Sequence, residues 1–137
     1  MTQRSEKESF FRFYELTKSK VARAHGLANE PGETAKRAIC QLIVELLDPL
    51  RKLFGEPIYV SSGYRSVELN KLVGGVRNSQ HMKGEAADLY TGNTKRLLRV
   101  LLESKLLFDQ AIYYRQKDFL HVSYTSNRVN RKQVLYR

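Results

Sequence analysis

Apolar residues recur at three- and four-residue steps between Thr34 and Phe54, at Ile39, Leu42, Ile43, Leu46, Leu50 and Leu53. That spacing predicts a helix with one buried face, bent near Pro49 and stopped at Gly55. Upstream, Phe10, Phe13, Tyr14, Val21 and Ala24 give a looser helical pattern from about Glu6 to Ala24, broken by Asn29-Glu30-Pro31-Gly32. The period then changes. Pro57-Ile58-Tyr59-Val60 predicts a short strand running into a turn at Ser61-Ser62-Gly63-Tyr64-Arg65. Ser66 is placed to cap a helix over Val67 to Val73, closed by Gly74-Gly75. Glu85 to Tyr90 predicts a strand entered from a turn at Gly84, and Thr94 a cap for a helix carrying Leu97, Leu98, Leu101, Leu102 and Leu106. Phe108–Tyr114 and Phe119–Thr125 predict a hairpin around Arg115-Gln116-Lys117-Asp118. Helices come first and strands later, so the expected class is α+β, with N-terminal helices packed on a small antiparallel sheet. The 137 residues suit a single domain, with a core from about residue 10 to 126 and a basic C-terminal tail.

Charge narrows the partners. Twenty-four Lys and Arg against fourteen Asp and Glu leave a net +10, which favours an anionic partner such as nucleic acid, a membrane surface or an envelope polymer. Cys40 is the only cysteine, which excludes an internal disulfide and a cysteine-based zinc site. Its helical surroundings predict a buried, inert thiol. The segment Met1–Glu8 is charged and lacks the apolar core of a signal peptide, and no apolar run is long enough to cross a membrane. The expectation is synthesis in the cytoplasm without a transmembrane segment.

The chemistry concentrates in two places. Ser79-Gln80-His81-Met82-Lys83-Gly84-Glu85-Ala86-Ala87-Asp88 supplies one imidazole and one carboxylate, and Phe119-Leu120-His121-Val122-Ser123 supplies a second imidazole. Two histidines and an acid form the ligand set of a catalytic zinc site that keeps one position open. Gly84 permits the tight turn that would bring His81 back beside the strand of Asp88, and Ala86 shares the face of Asp88. Asp88 stands in an apolar run, where burial of its charge requires a compensating cation, either a metal or an arginine. His25, next to Gly26, is explained by a helix end without any metal.

Ser79-x-His81-x-x-Gly84-x-Ala86-x-Asp88 resembles, at all five of its fixed positions, the zinc motif of the D-alanyl-D-alanine carboxypeptidase-type metallopeptidases, which cleave peptidoglycan stem peptides. Phe119-Leu120-His121-Val122-Ser123-Tyr124 is similar to that family's third-ligand strand, and Ser61-Ser62-Gly63-Tyr64-Arg65-Ser66 to its arginine-bearing turn. The resemblance implies that His81, Asp88 and His121 hold Zn2+. It implies that Asp118, three positions before the last histidine, is the general base. Arg65 would stabilise the oxyanion or grip a substrate carboxylate, and Ser79 would bind substrate or orient His81. Asp118 lies in a polar turn where an aspartate is often only a turn former, so Asp109 stands as the alternative base.

The expected function is therefore a zinc metallopeptidase acting on peptidoglycan, monomeric, reaching the cell wall after release in the manner of a phage endolysin. An L-Ala-D-Glu endopeptidase and a D-Ala-D-Ala carboxypeptidase both fit. The alternative from another class is a non-catalytic basic module for nucleic acid or an envelope polymer. No nucleic-acid partner is expected, because the basic residues are scattered and match no recognition motif.

Overall fold

A computed structural model describes residues 9–137. The Met1–Glu8 segment and the start of the first expected helix lie outside the described residues. What remains of that helix is a 3₁₀ turn at Phe13–Leu16 and a short helix α1 (Lys20–Ala24), capped where the Ser19 hydroxyl accepts from the Ala22 N–H at 3.0 Å.

The long amphipathic stretch forms α2 (Glu33–Leu42) and α3 (Asp48–Phe54), joined through a π-helical turn at Ile43–Leu47. The widened turn sits where Pro49 cannot donate to the carbonyl four residues back, so the irregularity falls ahead of the proline. Gly55 then ends α3 at φ 82°, a left-handed cap. Leu42, Leu46, Leu47 and Leu50 are fully buried on the sheet-facing side. Cys40 is exposed, against the expectation of a buried thiol.

The remaining elements are β1 (Tyr59–Ser62), α4 (Val67–Leu72), a 3₁₀ turn at Gln80–Lys83, β2 (Ala86–Tyr90), α5 (Thr94–Glu103), β3 (Gln110–Tyr114), β4 (Phe119–Ser123) and β5 (Gln133–Tyr136). Ser66 caps α4 as expected, its Oγ accepting from the Leu69 N–H at 3.1 Å. The cap of α5 is Asn93, whose side chain accepts from the Arg96 N–H at 3.1 Å, and not Thr94.

The class is α+β, with the strands in the order β1-β2-β4-β3-β5. The sheet is mixed and not wholly antiparallel, because β5 runs parallel to β3. The C-terminal residues thereby become an edge strand instead of a tail. Two arginines explain why: Arg128 and Arg131 reach back to Asp109, the residue just before β3, and hold the connecting loop against the sheet. One face of the sheet, with Ala87, Leu89, Leu120 and Val122, packs on α2, α3 and α5 as the core. Asp88 and His121 alternate with those residues and so belong to the other face.

Candidate metal centre

The centre is built by strand register. Asp88 on β2 pairs directly with His121 on β4, and directly opposed residues share a face. Thirty-three residues of chain separate them, yet His121 Nδ1 lies 3.0 Å from Asp88 Oδ1. His81 arrives from the 3₁₀ turn before β2. The Ser79 hydroxyl caps that turn, accepting from the His81 N–H at 3.1 Å, and Gly84 closes it at φ 76°. A β-carbon on Gly84 would meet the Ala35 carbonyl of α2 at 2.5 Å, so glycine is required both for the dihedral and for the approach.

Within this frame His81 Nε2 lies 3.2 Å from the same Asp88 oxygen. His81 Nδ1 lies 2.8 Å from the Gly63 carbonyl. A carbonyl can only accept, so Nδ1 carries the proton and Nε2 presents its lone pair. His81, Asp88 and His121 each offer one donor atom, all within 4.8 Å of one another. Ligand atoms about 2.0–2.2 Å from a tetrahedral zinc lie roughly 3.3–3.6 Å apart. The two separations to Asp88, 3.0 and 3.2 Å, lie close to that range, and the two-imidazole, one-carboxylate donor set and the carbonyl that fixes the His81 tautomer suit such an ion.

Electrostatics keep the carboxylate charged. Burial pushes the Asp88 carboxyl up, but the hydrogen bond from His121 outweighs it and holds the acid well below the usual carboxylate range. Arg65 stands on the other side, Nη2 at 3.7 Å from Asp88 Oδ2. Burial lowers the Arg65 pKa, while the charge of Asp88, then Tyr114, pushes it back up. Its side chain is steered by Ser62 Oγ (3.3 Å from Nε) and Asn70 Oδ1 (3.1 Å from Nη1), and its backbone N–H donates to the His81 carbonyl at 3.0 Å. A register shift between Val60 and Ser62 turns the chain out of β1 toward this position.

Of the residues singled out from sequence, the fold brings His81, Asp88, His121 and Arg65 together, with Ser79 behind His81. Asp118 lies outside the three-group cluster. It is exposed at the end of the β3–β4 turn, at φ 55°, and accepts a hydrogen bond from the Tyr113 hydroxyl. That bond and burial push the Tyr113 hydroxyl up, which keeps it a donor. Asp109 is fully buried and takes five hydrogen bonds, two from Arg128 and three from Arg131. Burial raises its pKa, but these bonds win and hold it well below the usual range, so Asp109 is an anchor and unsuited to accept a proton. His25 is exposed, its ring bonded to the Val21 carbonyl at 3.0 Å.

Sequence reasoning missed the Gly63 carbonyl, Asn70 and the Tyr114–Phe119 ring pair, stacked at 4.5 Å on the His121 face of the sheet. A backbone carbonyl carries no residue signal, and Asn70 becomes legible only once Arg65 is known to need a partner.

The family described as Peptidase M15 matches residues 9–123. A zinc D-Ala-D-Ala carboxypeptidase of Streptomyces albus G is 50% identical over 48 residues, which are 34% of this chain and 19% of that protein. The chain thus spans about a fifth of that relative's length.

Proposed function

The chain belongs to the Peptidase M15 family, and from that premise we propose that it is a zinc-dependent peptidase acting on the stem peptides of peptidoglycan. The observation that carries this reading is the convergence of His81 Nε2, Asp88 Oδ1 and His121 Nδ1 on one point, with a guanidinium beside them.

In this reading His81, Asp88 and His121 hold the ion. Zinc, when bound, supplies a Lewis acid that polarises a carbonyl and makes water acidic enough to deliver hydroxide near pH 7. Asp118 takes the proton from the attacking water and returns it to the leaving amine. Its place three residues before His121 supports that role, and the hydrogen bonds that Asp109 takes from Arg128 and Arg131 argue against the alternative base. Arg65 meets the developing oxyanion or a substrate carboxylate with its planar fork. Ser79 acts through the His81 backbone, as its capping bond suggests.

We propose a cut within the stem peptide, of the L-Ala-D-Glu type, made by a monomeric enzyme of phage-endolysin type at the cell wall. A groove that continues past Arg65 favours this cut; the activity in the name of the Streptomyces relative favours removal of terminal D-Ala. Digestion of purified sacculi, with chelator and with zinc restored, separates them. New termini read by mass spectrometry name the bond, and the absence of zinc-dependent release from several wall chemistries would overturn the proposal.

A further inference from the structure

A cavity of about 860 Å3 lies between the edge strand β1 and the segment from Tyr14 to Glu30. It meets the metal cluster at Ser62 and Arg65, since Ser62 pairs with Asp88 and Arg65 faces its carboxylate. The opposite wall carries Lys18, Lys20 and Arg23, against Glu30 as the one acidic lining residue. Among the described residues, none of those three cations has a carboxylate within ion-pair distance. Cations left unpaired around a concavity attract an anion by the same focusing that raises local counter-ion concentration in charged clefts.

The two walls are tied to each other. Asn29 is buried at φ 50°, and its amide donates to the Thr17 carbonyl at 2.8 Å and the Tyr64 carbonyl at 3.1 Å. Its Oδ1 accepts from the Ser66 N–H at 2.7 Å, and the Tyr64 N–H donates to the Leu16 carbonyl at 2.6 Å. One side chain thus clamps the start of the cationic segment to the turn that holds Arg65, so the cleft is preformed. Its volume falls at the upper end of the ~300–1,000 Å3 that encloses drug-sized ligands, more than a terminal dipeptide would fill.

We propose that this cavity recognises an acidic stretch of the substrate, a peptide segment whose carboxylate is held by Lys18, Lys20 and Arg23 while the scissile bond lies beyond Arg65. The proposal rests on the peptidase reading for the identity of the peptide, but its test reads binding separately from cleavage.

The probe is a fluorescent stem-peptide fragment with a free carboxylate at least two residues from the L-Ala-D-Glu bond, compared with the same fragment carrying a carboxamide in place of that carboxylate. The zinc-loaded full chain binds each, followed by anisotropy, and cleaves each, followed by mass spectrometry. The wild type prefers the carboxylate fragment by roughly tenfold, and added salt erodes the preference. In Lys20→Glu/Arg23→Glu, both changes at exposed positions of α1, the preference collapses to near unity. In Lys52→Glu/Lys105→Glu, the same charge change outside the cavity, it persists. Equal binding of the two fragments by the wild type, or a preference that survives the α1 reversal, overturns the proposal. A preference in binding without hydrolysis of either fragment would sustain the cavity assignment and defeat the peptidase reading. Hydrolysis without preference would do the reverse.

Discussion

Gly63→Ala tests the centre at a residue that donates no side chain to it. Gly63 is buried, and its carbonyl takes the His81 Nδ1 proton at 2.8 Å. A β-carbon there would overlap the Leu16 carbonyl oxygen and stand 2.8 Å from the Leu16 C and Cα atoms. All of these are backbone, and the Leu16 carbonyl is already engaged by the Tyr64 N–H, so no flexible side chain can yield. Relieving the overlap to ordinary contact moves one of the two segments by a sizeable fraction of an ångström. The overpacking costs about 1–3 kcal/mol, which for a domain of this size lowers Tm by roughly 4–10 °C. The same shift moves the carbonyl that orients His81, and loss of such a partner weakens a metal site by about 10- to 100-fold. At saturating zinc the ion then stabilises the variant by about 1.4–2.7 kcal/mol less than it stabilises the wild type. Thermal melts in chelator read the first effect, and a zinc competition titration with a chromophoric chelator reads the second. Gly92→Ala is the control, since a β-carbon there meets nothing within 4 Å. A Gly63→Ala protein that melts with the wild type in chelator and binds zinc at wild-type affinity refutes the reasoning.

Three further outcomes are expected. Asp118→Ala keeps zinc at wild-type stoichiometry while kcat falls on the order of 10²- to 10⁴-fold; activity within a few-fold of wild type would place the base elsewhere. Arg65→Lys keeps the charge but loses the fork that Ser62 and Asn70 steer, so turnover drops roughly 10- to 100-fold with an unchanged circular dichroism spectrum. An unfolded variant would make Arg65 structural instead. Asp109→Ala releases both arginines and lowers Tm by several degrees at neutral pH. Because the folded-state pKa of Asp109 is lowered from its ordinary 3.8, this stability is present above about pH 4 and disappears as pH falls below it. Melts of wild type and variant should therefore converge in acid, and a gap that stays constant down to pH 2 contradicts the assignment.

Legibility followed range along the chain. The caps at Ser66 and Gly55, the turn at Gly84 and the helical stripe through Leu42, Leu46 and Leu50 depend on neighbours within one or two turns, and the structure has them where the pattern placed them. The cap of α5 was misread because Asn93 and Thr94 are both competent N-caps, and one residue of register decides between them. Cys40 was misread because membership of the helix was taken for burial, although Cys40 is not one of the stripe positions. The parallel pairing of β5 had no local sign at all: it depends on Arg128 and Arg131 finding Asp109, nineteen and twenty-two residues earlier.

For the centre itself, the sequence alone determined the donor types and their local presentation: a histidine in a glycine-closed turn, a carboxylate in an apolar strand and a histidine in another. Those are consequences of residue chemistry and of period-two and period-three geometry, which a linear pattern contains. Only the tertiary structure decided that the three donors meet, that a peptide carbonyl sets the tautomer of His81, and that Arg65 faces Asp88 while Asp109 is consumed by arginines. The physical reason is that strand register and loop closure are set by burying one whole face of the sheet against the helices. That balance sums over the whole core, and no stretch of the chain carries it alone.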